Sequence, residues 1–192
     1  MDVQSGRIVE LFGSTVGIHG LGAIGRAVAV RAKAFGMNVY AVDPNPAEVP
    51  SAVSACWDPH RLDDLMARSN WLVVSAPIIP ETRNVIDARR IGLMPEGACV
   101  IVVSRGGIVD EHALADAVQS GHLAGAAIDA TEEEPLPPSS PLWRLENVIV
   151  TSHVSALSPQ LYELRRQAFK ANLRRFVVGK PLQNVCDKRK GI

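Results

Sequence analysis

A glycine-rich turn near the start of the chain constrains the fold more than any other feature. Gly20-Leu21-Gly22-Ala23-Ile24-Gly25 directly follows a short apolar run, Thr15 to His19, and leads into a segment of helical period, Ile24 to Phe35. In this order Gly20 permits a tight turn, Gly22 lets a ligand approach the backbone, and Gly25 lets the helix pack closely on the strand. The unpaired N–H groups that begin the helix suit phosphates. The motif, including Ala23 and Ile24, predicts a strand–turn–helix unit that binds a dinucleotide.

An acidic residue stands where such a unit needs one. Asp43 directly follows the next apolar run, Met37 to Val42, and stands 18 residues after Gly25. Its carboxylate can accept hydrogen bonds from the 2′- and 3′-hydroxyls of an adenosine ribose. The same charge would repel a 2′-phosphate, and Pro44-Asn45-Pro46 supplies no cation to hold one. The sequence therefore favours NAD over NADP as the cofactor.

The rest of the chain repeats the alternation of strand and helix. We predict strands at Thr15 to His19, Met37 to Val42, Trp71 to Ser75, Ala98 to Val103, Ala124 to Asp129 and Val148 to Thr151. We predict helices at Ile24 to Phe35, Arg61 to Arg68, Asp87 to Met94, Glu111 to Ser120 and Pro159 to Val178, the last ending at Gly179. This pattern is typical of a doubly wound parallel sheet of Rossmann type with three α/β/α layers. Residues 1–155 form the predicted NAD(P)-binding domain, and residues 156–192 form a C-terminal helix and tail.

Composition narrows the class of protein. Twenty basic and twenty acidic residues give a formal net charge of zero, which argues against nucleic-acid binding through a basic surface and against a membrane-surface role. The three cysteines, Cys56, Cys99 and Cys186, are far apart and indicate neither a disulfide framework nor a metal site. There is no apolar run long enough to cross a membrane. We expect a cytoplasmic protein without a bound metal.

Charged side chains follow the later predicted strands. Arg105, Asp129, Glu134 and His153 each come at or soon after the carboxyl end of a strand. Ligands bind at that edge of an open parallel sheet, so the four groups could converge beside the cofactor. Taken singly, each also has an ordinary structural explanation: a solvated loop charge, an acidic cluster at a helix start, or a hydrogen-bonded histidine at a strand end. We interpret His19, His60, His112 and His122 as structural or solvated.

Several motifs in fixed order resemble one family. They are Thr15 to Arg26, Ala76-Pro77 with Pro80-Glu81-Thr82-Arg83, Ser104 to Glu111, Gly125 to Asp129 with Glu134-Pro135-Leu136-Pro137, and Asn147 to His153. Together they resemble the nucleotide-binding domain of the D-isomer-specific 2-hydroxyacid dehydrogenases, which include glycerate, phosphoglycerate and glyoxylate/hydroxypyruvate reductases. The family normally carries a substrate-binding domain ahead of this one, and the resemblance implies that the 192 residues lack it.

The resemblance implies a role for each matching residue. Arg105 corresponds to the catalytic arginine that grips the substrate carboxylate and keto oxygen, and its planar guanidinium suits that task. His153 corresponds to the acid/base histidine, with Glu134 holding its ring and favouring the charged form. Asp129 corresponds to a residue that contacts the nicotinamide carboxamide. The remaining positions that line the cofactor cleft are Ala76, Pro77, Thr82, Val103 and Ser104.

Two functions of different class remain open at this point. The first is an oxidoreductase, or the nucleotide-binding part of one, that transfers hydride between NAD(H) and a small 2-hydroxy or 2-oxo acid. The alternative is an NAD(H)-binding sensor or scaffold without turnover, like the corepressors that resemble this family. Family members dimerise mainly through this domain, so we expect a homodimer. Val102 and Ala76 depart from the residues common in the family, and neither change removes a catalytic group.

Overall fold

Seven parallel strands form the central sheet of the protein, whose computed structural model describes residues 9–186. The strands are β1 (Thr15–His19), β2 (Asn38–Val42), β3 (Ala55–Trp57), β4 (Trp71–Val74), β5 (Ala98–Val102), β6 (Leu123–Ile128) and β7 (Val148–Val150). Their spatial order is β3-β2-β1-β4-β5-β6-β7. The chain thus winds outward from β1 in both directions, which confirms the predicted Rossmann-type sheet.

One strand was missing from the sequence prediction. β3 has only three residues and pairs in parallel with β2, from Tyr40 opposite Ala55 to Val42 opposite Trp57. Its residues, Ala55, Cys56 and Trp57, include no β-branched side chain, whereas the equally short β7 is Val-Ile-Val and was predicted. The prediction of six strands was therefore wrong, because it missed this edge strand.

The helices follow the predicted segments: the first is shifted by one residue towards the N-terminus, and the other four are shorter than predicted. They are α1 (Ala23–Ala34), α2 (Leu62–Arg68), α3 (Ala88–Ile91), α4 (Glu111–Gln119) and α5 (Leu161–Val177). A 3₁₀ turn at Pro59–Arg61 leads into α2, where the sequence predicted a continuous helix from Arg61. At α4, the Asp110 carboxylate accepts the backbone N–H of His112 and of Ala113, each at 3.0 Å. This N-cap fixes where α4 begins, just beyond the strand edge.

The two faces of the sheet carry unequal numbers of helices. Ala29 and Ala32 of α1 are buried with Val16 and Ile18 of β1 in one apolar cluster. The opposite face holds the larger cluster, in which α2, α3 and α4 bury their apolar residues on β4, β5 and β6. Small residues let α1 approach closely: a Cβ added at Gly25 would lie 2.1 Å from the Gly20 carbonyl oxygen. This close packing sets the start of α1 directly above the end of β1.

The chain divides into two compact units, and the boundary falls between Ser152 and His153. The second unit, described through residue 186, contains α5, which ends at Val177 shortly before Gly179 with its φ of 68°. Asn172 of α5 donates to the Gln183 carbonyl at 2.9 Å and accepts the Gln183 N–H at 2.8 Å. These bonds hold the segment after the helix against α5. Over residues 9–186, no helix combines the length and apolar character that a membrane span requires.

Candidate cofactor and catalytic site

The glycine turn is fixed between two neighbouring strand ends. Gly20 has a φ of 94°, and a Cβ added there would lie 2.5 Å from the backbone nitrogen of Ala76. The Gly20 N–H donates to the Val42 carbonyl at 2.9 Å, and the Ser75 hydroxyl donates to the Gly20 carbonyl at 2.7 Å. Only glycine satisfies both the conformation and the close approach. The turn is therefore bound to the ends of β2 and β4 before any ligand is present.

The start of α1 is open, in contrast to the tight turn. A Cβ added at Gly22 would meet nothing within 4 Å. Gly22 caps the helix without a side-chain hydrogen bond, and the first turn contains no acidic residue. The first N–H groups of a helix have no partner within it, and they carry partial positive charge. This arrangement fits the pyrophosphate of a dinucleotide.

Asp43 has a second task that the sequence did not reveal. Its Oδ2 accepts the Leu21 N–H at 2.7 Å, and its Oδ1 accepts the Asn45 N–H at 2.9 Å. The carboxylate thereby fixes the glycine turn to the end of β2. Each oxygen of a carboxylate can accept more than one hydrogen bond, so acceptor capacity remains for two ribose hydroxyls.

The predicted cleft residues lie at the ends of β4 and β5. Thr82 Oγ1 donates to the Pro77 carbonyl at 2.7 Å and accepts the Ile79 N–H at 2.9 Å, which closes the loop after β4. Ala76 is buried, and Val103 is partly buried. The Ser104 hydroxyl is buried and has no hydrogen-bond partner within residues 9–186. Such an orphaned group calls for a partner, and its place beside Arg105 fits a bound cofactor.

The loops after β5 and β6 are in direct contact. A Cβ added at Gly106 would lie 2.0 Å from the carbonyl carbon of Thr131, so the two backbones pack together. Arg105 Nη1 donates to the Ser104 carbonyl at 2.7 Å. Glu134 Oε1 accepts the Thr131 N–H at 3.2 Å. The fold therefore places the loops that carry Arg105 and Glu134 side by side at the carboxyl edge of the sheet.

Two threonines that the sequence analysis did not single out hold this region. Thr151 Oγ1 donates to Asp129, which is buried. Thr131 is also buried, and its hydroxyl donates to the Glu133 carbonyl at 2.8 Å. The sequence offered one signal for Thr131, which is a hydroxyl residue between Asp129 and the three glutamates. These bonds give the acidic loop after β6 a defined shape.

His153 occupies the first position of the second unit and has a φ of 54°. Left-handed backbone is uncommon for residues other than glycine and asparagine, and it often marks a constrained position. Arg105 and Glu134 belong to the first unit. The grouping of the three residues stays a prediction that rests on the family resemblance.

A cavity of about 480 Å³ in the first unit has none of the predicted site residues in its lining. Its lining includes the acidic side chains of Asp110, Glu111, Glu132 and Glu133. Glu111 Oε1 accepts the Glu132 N–H at 2.6 Å, and burial raises the pKa of the Glu111 carboxyl. Four acids would repel the carboxylate of a 2-oxo acid, so we do not assign the substrate to this cavity. Over residues 9–186, no group of histidine, cysteine and acidic side chains is arranged to hold a metal.

Strand order and glycine turn together define the class of protein. Seven parallel strands that reverse direction of winding beside β1, with an open helix start above it, form a dinucleotide-binding domain of the Rossmann type. The chain belongs to the D-isomer specific 2-hydroxyacid dehydrogenase family, whose NAD binding domain matches residues 2–155. The cofactor class is therefore a nicotinamide dinucleotide.

Relatives from three organisms show how far the similarity extends. A D-3-phosphoglycerate dehydrogenase of Methanocaldococcus jannaschii is 36% identical over 182 residues, covering 93% of this chain and 34% of the relative. A glycerate dehydrogenase of Methylorubrum extorquens is also 36% identical over 182 residues, which cover 94% of this chain and 55% of the relative. The crystal structure of a family member from Xanthobacter autotrophicus Py2 was solved in complex with NADPH and MES. It is 37% identical in sequence with a TM-score of 0.85, and the match covers 93% of this chain and 73% of that one. The chain thus spans about one third of the phosphoglycerate dehydrogenase and about half of the glycerate dehydrogenase.

Proposed function

We propose that the chain provides the cofactor-binding and catalytic side chains of an NAD-dependent oxidoreductase that converts a small 2-oxo acid to the 2-hydroxy acid and back. The observation that carries the proposal is the shared edge of the sheet: the open start of α1 and the contacting loops of Arg105 and Glu134 all follow carboxyl ends of strands. The curated relatives are dehydrogenases by name, so a sensor or scaffold without turnover is not favoured.

Each proposed catalytic residue has one task in the reduction. The start of α1 and Asp43 would hold NADH, whose chemistry would be hydride donation to C2 of the substrate. Arg105 binds the carboxylate and the keto oxygen, for which its planar set of N–H donors is suited. His153 as imidazolium donates a proton to the oxygen at C2, so that hydride and proton together give the hydroxy acid. Glu134 holds the imidazole ring, and in oxidation the neutral ring takes the hydroxyl proton.

The proposed cofactor contacts follow from the site. The start of α1, with Gly22, Ala23 and Ile24, holds the pyrophosphate, and Asp43 holds the adenosine ribose. Asp129 contacts the carboxamide of the nicotinamide. The positions that line the cleft are Ala76, Pro77, Thr82, Val103 and Ser104. The negative charge of Asp43 supports a preference for NAD, although the relative from Xanthobacter autotrophicus was solved with NADPH.

The wider organisation is part of the same proposal. Residues 1–155 serve as the NAD-binding domain, and residues 156–192 as a separate C-terminal helix and tail. A homodimer in the cytoplasm is expected from the family resemblance, with no nucleic-acid or membrane partner because the net charge is zero. Sedimentation at increasing protein concentration tests the dimer, and a compact monomer at every concentration would contradict it.

Cofactor binding is tested by titrating NADH into the purified chain and into Gly22→Ala. Tryptophan fluorescence reports binding, because Trp57, Trp71 and Trp143 all lie in the first unit. The added methyl group meets no protein atom, so the thermal stability of the ligand-free protein should stay within about 1 °C of the wild type, whereas NADH affinity should fall at least about tenfold through its clash with the phosphates. No NADH binding by the wild type would refute the cofactor site.

Turnover is tested with glyoxylate and hydroxypyruvate, by following the loss of NADH absorbance. His153→Ala should lower kcat by at least about a hundredfold while leaving NADH affinity within twofold, as a proton donor requires. Equal losses in kcat and NADH affinity would contradict that role. If NADH binds and neither acid is reduced at any concentration of the wild type, the oxidoreductase proposal fails for this chain, and binding without turnover remains.

A further inference from the structure

The acidic loop after β6, residues 131–134, carries Glu134 and contains hydrogen bonds of its own. The Thr131 hydroxyl donates to the Glu133 carbonyl at 2.8 Å, and the Thr131 N–H donates to Glu134 Oε1 at 3.2 Å. Bonds within a loop move with it, so they set its shape and leave its place beside the sheet to other contacts. The proposed mechanism needs Glu134 at a defined place, because a misplacement of about 1 Å in an active site can cost about a hundredfold in rate.

Glu132 is held from two sides by residues outside the acidic loop. Its backbone N–H donates to Glu111 Oε1 at 2.6 Å, and its carboxylate accepts Arg83 Nη1 at 3.3 Å. The Arg83 and Glu132 side chains are both more than half exposed, so solvent screens this ion pair and it contributes little. The bond to Glu111 is shorter and has a carboxylate as its acceptor, and hydrogen bonds to a charged group are about twice as strong as neutral ones. Glu111 is therefore the stronger of these two attachments.

Glu111 is the first residue of α4, a helix that buries three apolar residues in the larger core cluster: Leu114, Ala115 and Val118. Its carboxylate is not needed to cap this helix, because Asp110 already accepts two N–H groups of the first turn, each at 3.0 Å. Burial raises the pKa of the Glu111 carboxyl, and the hydrogen bond from the Glu132 N–H acts against that shift. The carboxylate thus ties the acidic loop to a packed helix, and the bond offsets part of the cost of burying the charge.

We propose that Glu111 is a positioning residue for the reaction: its carboxylate holds the Glu132 N–H and thereby fixes the place of Glu134, two residues further along the chain. This inference rests on the proposed function, because it requires Glu134 to hold the imidazole of His153. Glu111 acts through the loop and has no contact with substrate or cofactor. Its length matters as well as its oxygen, since aspartate is shorter by one methylene group and does not reach as far.

Two conservative substitutions separate this role from a general effect of charge on α4. Glu111→Gln keeps an oxygen acceptor at the same reach and removes the charge, whereas Glu111→Asp keeps the charge and shortens the side chain. An acidic residue in the first turn of a helix interacts favourably with the helix dipole, and aspartate preserves that interaction. A residue that serves only the helix would tolerate aspartate better, whereas a residue that positions the loop would tolerate glutamine better. Asp116→Ala, at an exposed acid of α4, is the matched control.

The test measures kcat with glyoxylate and hydroxypyruvate, the dissociation constant for NADH, and the melting temperature of each ligand-free protein. We expect Glu111→Asp and Glu111→Ala to lower kcat about tenfold or more, and Glu111→Gln to stay within about threefold of the wild type. NADH affinity should stay within about twofold throughout, because the start of α1 and Asp43 lie outside this loop, and Asp116→Ala should change nothing. Equal kcat of wild type and Glu111→Asp would overturn the inference. A greater loss in Glu111→Gln than in Glu111→Asp would also overturn it.

A double-mutant cycle shows whether the effect passes through Glu134. Glu134→Gln should lower kcat by itself, and Glu111→Asp should then add less than about twofold, because the group that it misplaces is already impaired. Losses that multiply in the double variant would overturn the inference. Glu111→Ala replaces Glu111→Asp in the cycle if the latter does not fold, and if neither folds the inference is overturned, since Glu111 would then serve the fold alone. A wild type that binds NADH and reduces neither acid would instead refute the proposed function, and the inference with it.

Discussion

Acidification should destabilise the first unit through His19, and the size of the effect can be worked from its burial. The pKa falls from the ordinary value of 6.5 to about 4 in the folded protein. Between these values the unfolded chain carries a proton on His19 and the folded chain does not, so stability rises with pH. The contribution is complete above 6.5 and is lost as the pH falls to about 4. At about 1.4 kcal/mol for each tenfold change in proton affinity, the loss is about 3 kcal/mol.

The assay is urea unfolding followed by tryptophan fluorescence at a series of pH values between neutral and about 4. Wild type and His19→Leu are compared, so that groups common to both cancel. Among those are Asp63, whose pKa Arg89 and Arg90 lower to about 2, and Glu111, whose raised pKa has the opposite effect on stability. At neutral pH the variant should be as stable as the wild type or slightly more, because it removes an unpaired buried nitrogen.

The difference between the two proteins should move by about 3 kcal/mol in favour of His19→Leu as the pH falls to about 4. A loss of this size is a large part of the 5 to 15 kcal/mol that stabilises a typical domain. If the stability curves of the two proteins ran parallel over the whole pH range, the reasoning would be refuted. His19 would then have the same proton affinity in the folded and the unfolded chain. A steeper loss in the variant would refute it as well.

Two further substitutions test the site. Asp43→Asn keeps an acceptor for the Leu21 N–H and removes the charge, so the ratio of the NADPH and NADH dissociation constants should fall at least about tenfold; an unchanged ratio would place cofactor choice elsewhere. Gly106→Ala puts a methyl group on the Thr131 backbone and should lower the free energy of unfolding by about 1 to 3 kcal/mol. Gly22→Ala, whose methyl group meets no protein atom, is its control, and equal stability of the two variants would contradict the packing of the loops.

Local signals in the sequence predicted most of the fold, and distant contacts account for what it missed. The glycine turn and Asp43 share one strand–helix–strand unit, so their spacing alone was enough to predict a dinucleotide site there. The second role of Asp43, holding the Leu21 N–H, depends on how closely the turn approaches β2, and spacing does not reveal that. The sequence analysis missed β3 because its three residues include no β-branched side chain, unlike those of the equally short β7.

Parts of the candidate site were also predictable from local signals, and other parts depend on distant contacts. Arg105 and Glu134 follow strands that are neighbours in the sheet, so a parallel order was enough to predict loops in contact. The burial of Thr131 depends on the backbone packing at Gly106, which one sequence cannot show. The burial of His19 and the unpaired state of its Nδ1 became visible only once β2 and β4 were placed beside it.

The shortness of both outer strands bears on how the protein behaves at high concentration. β3 and β7 have three residues each, so each end of the sheet presents few unpaired backbone groups. At the β3 end, Arg61 lies over the Trp57 ring at 4.4 Å from its centroid, which places a positive charge at the edge. Short, charged edges are poor templates for a strand from another molecule. Both outer strands therefore limit edge-to-edge pairing by their shortness, and the Arg61 side chain adds to this at the β3 end.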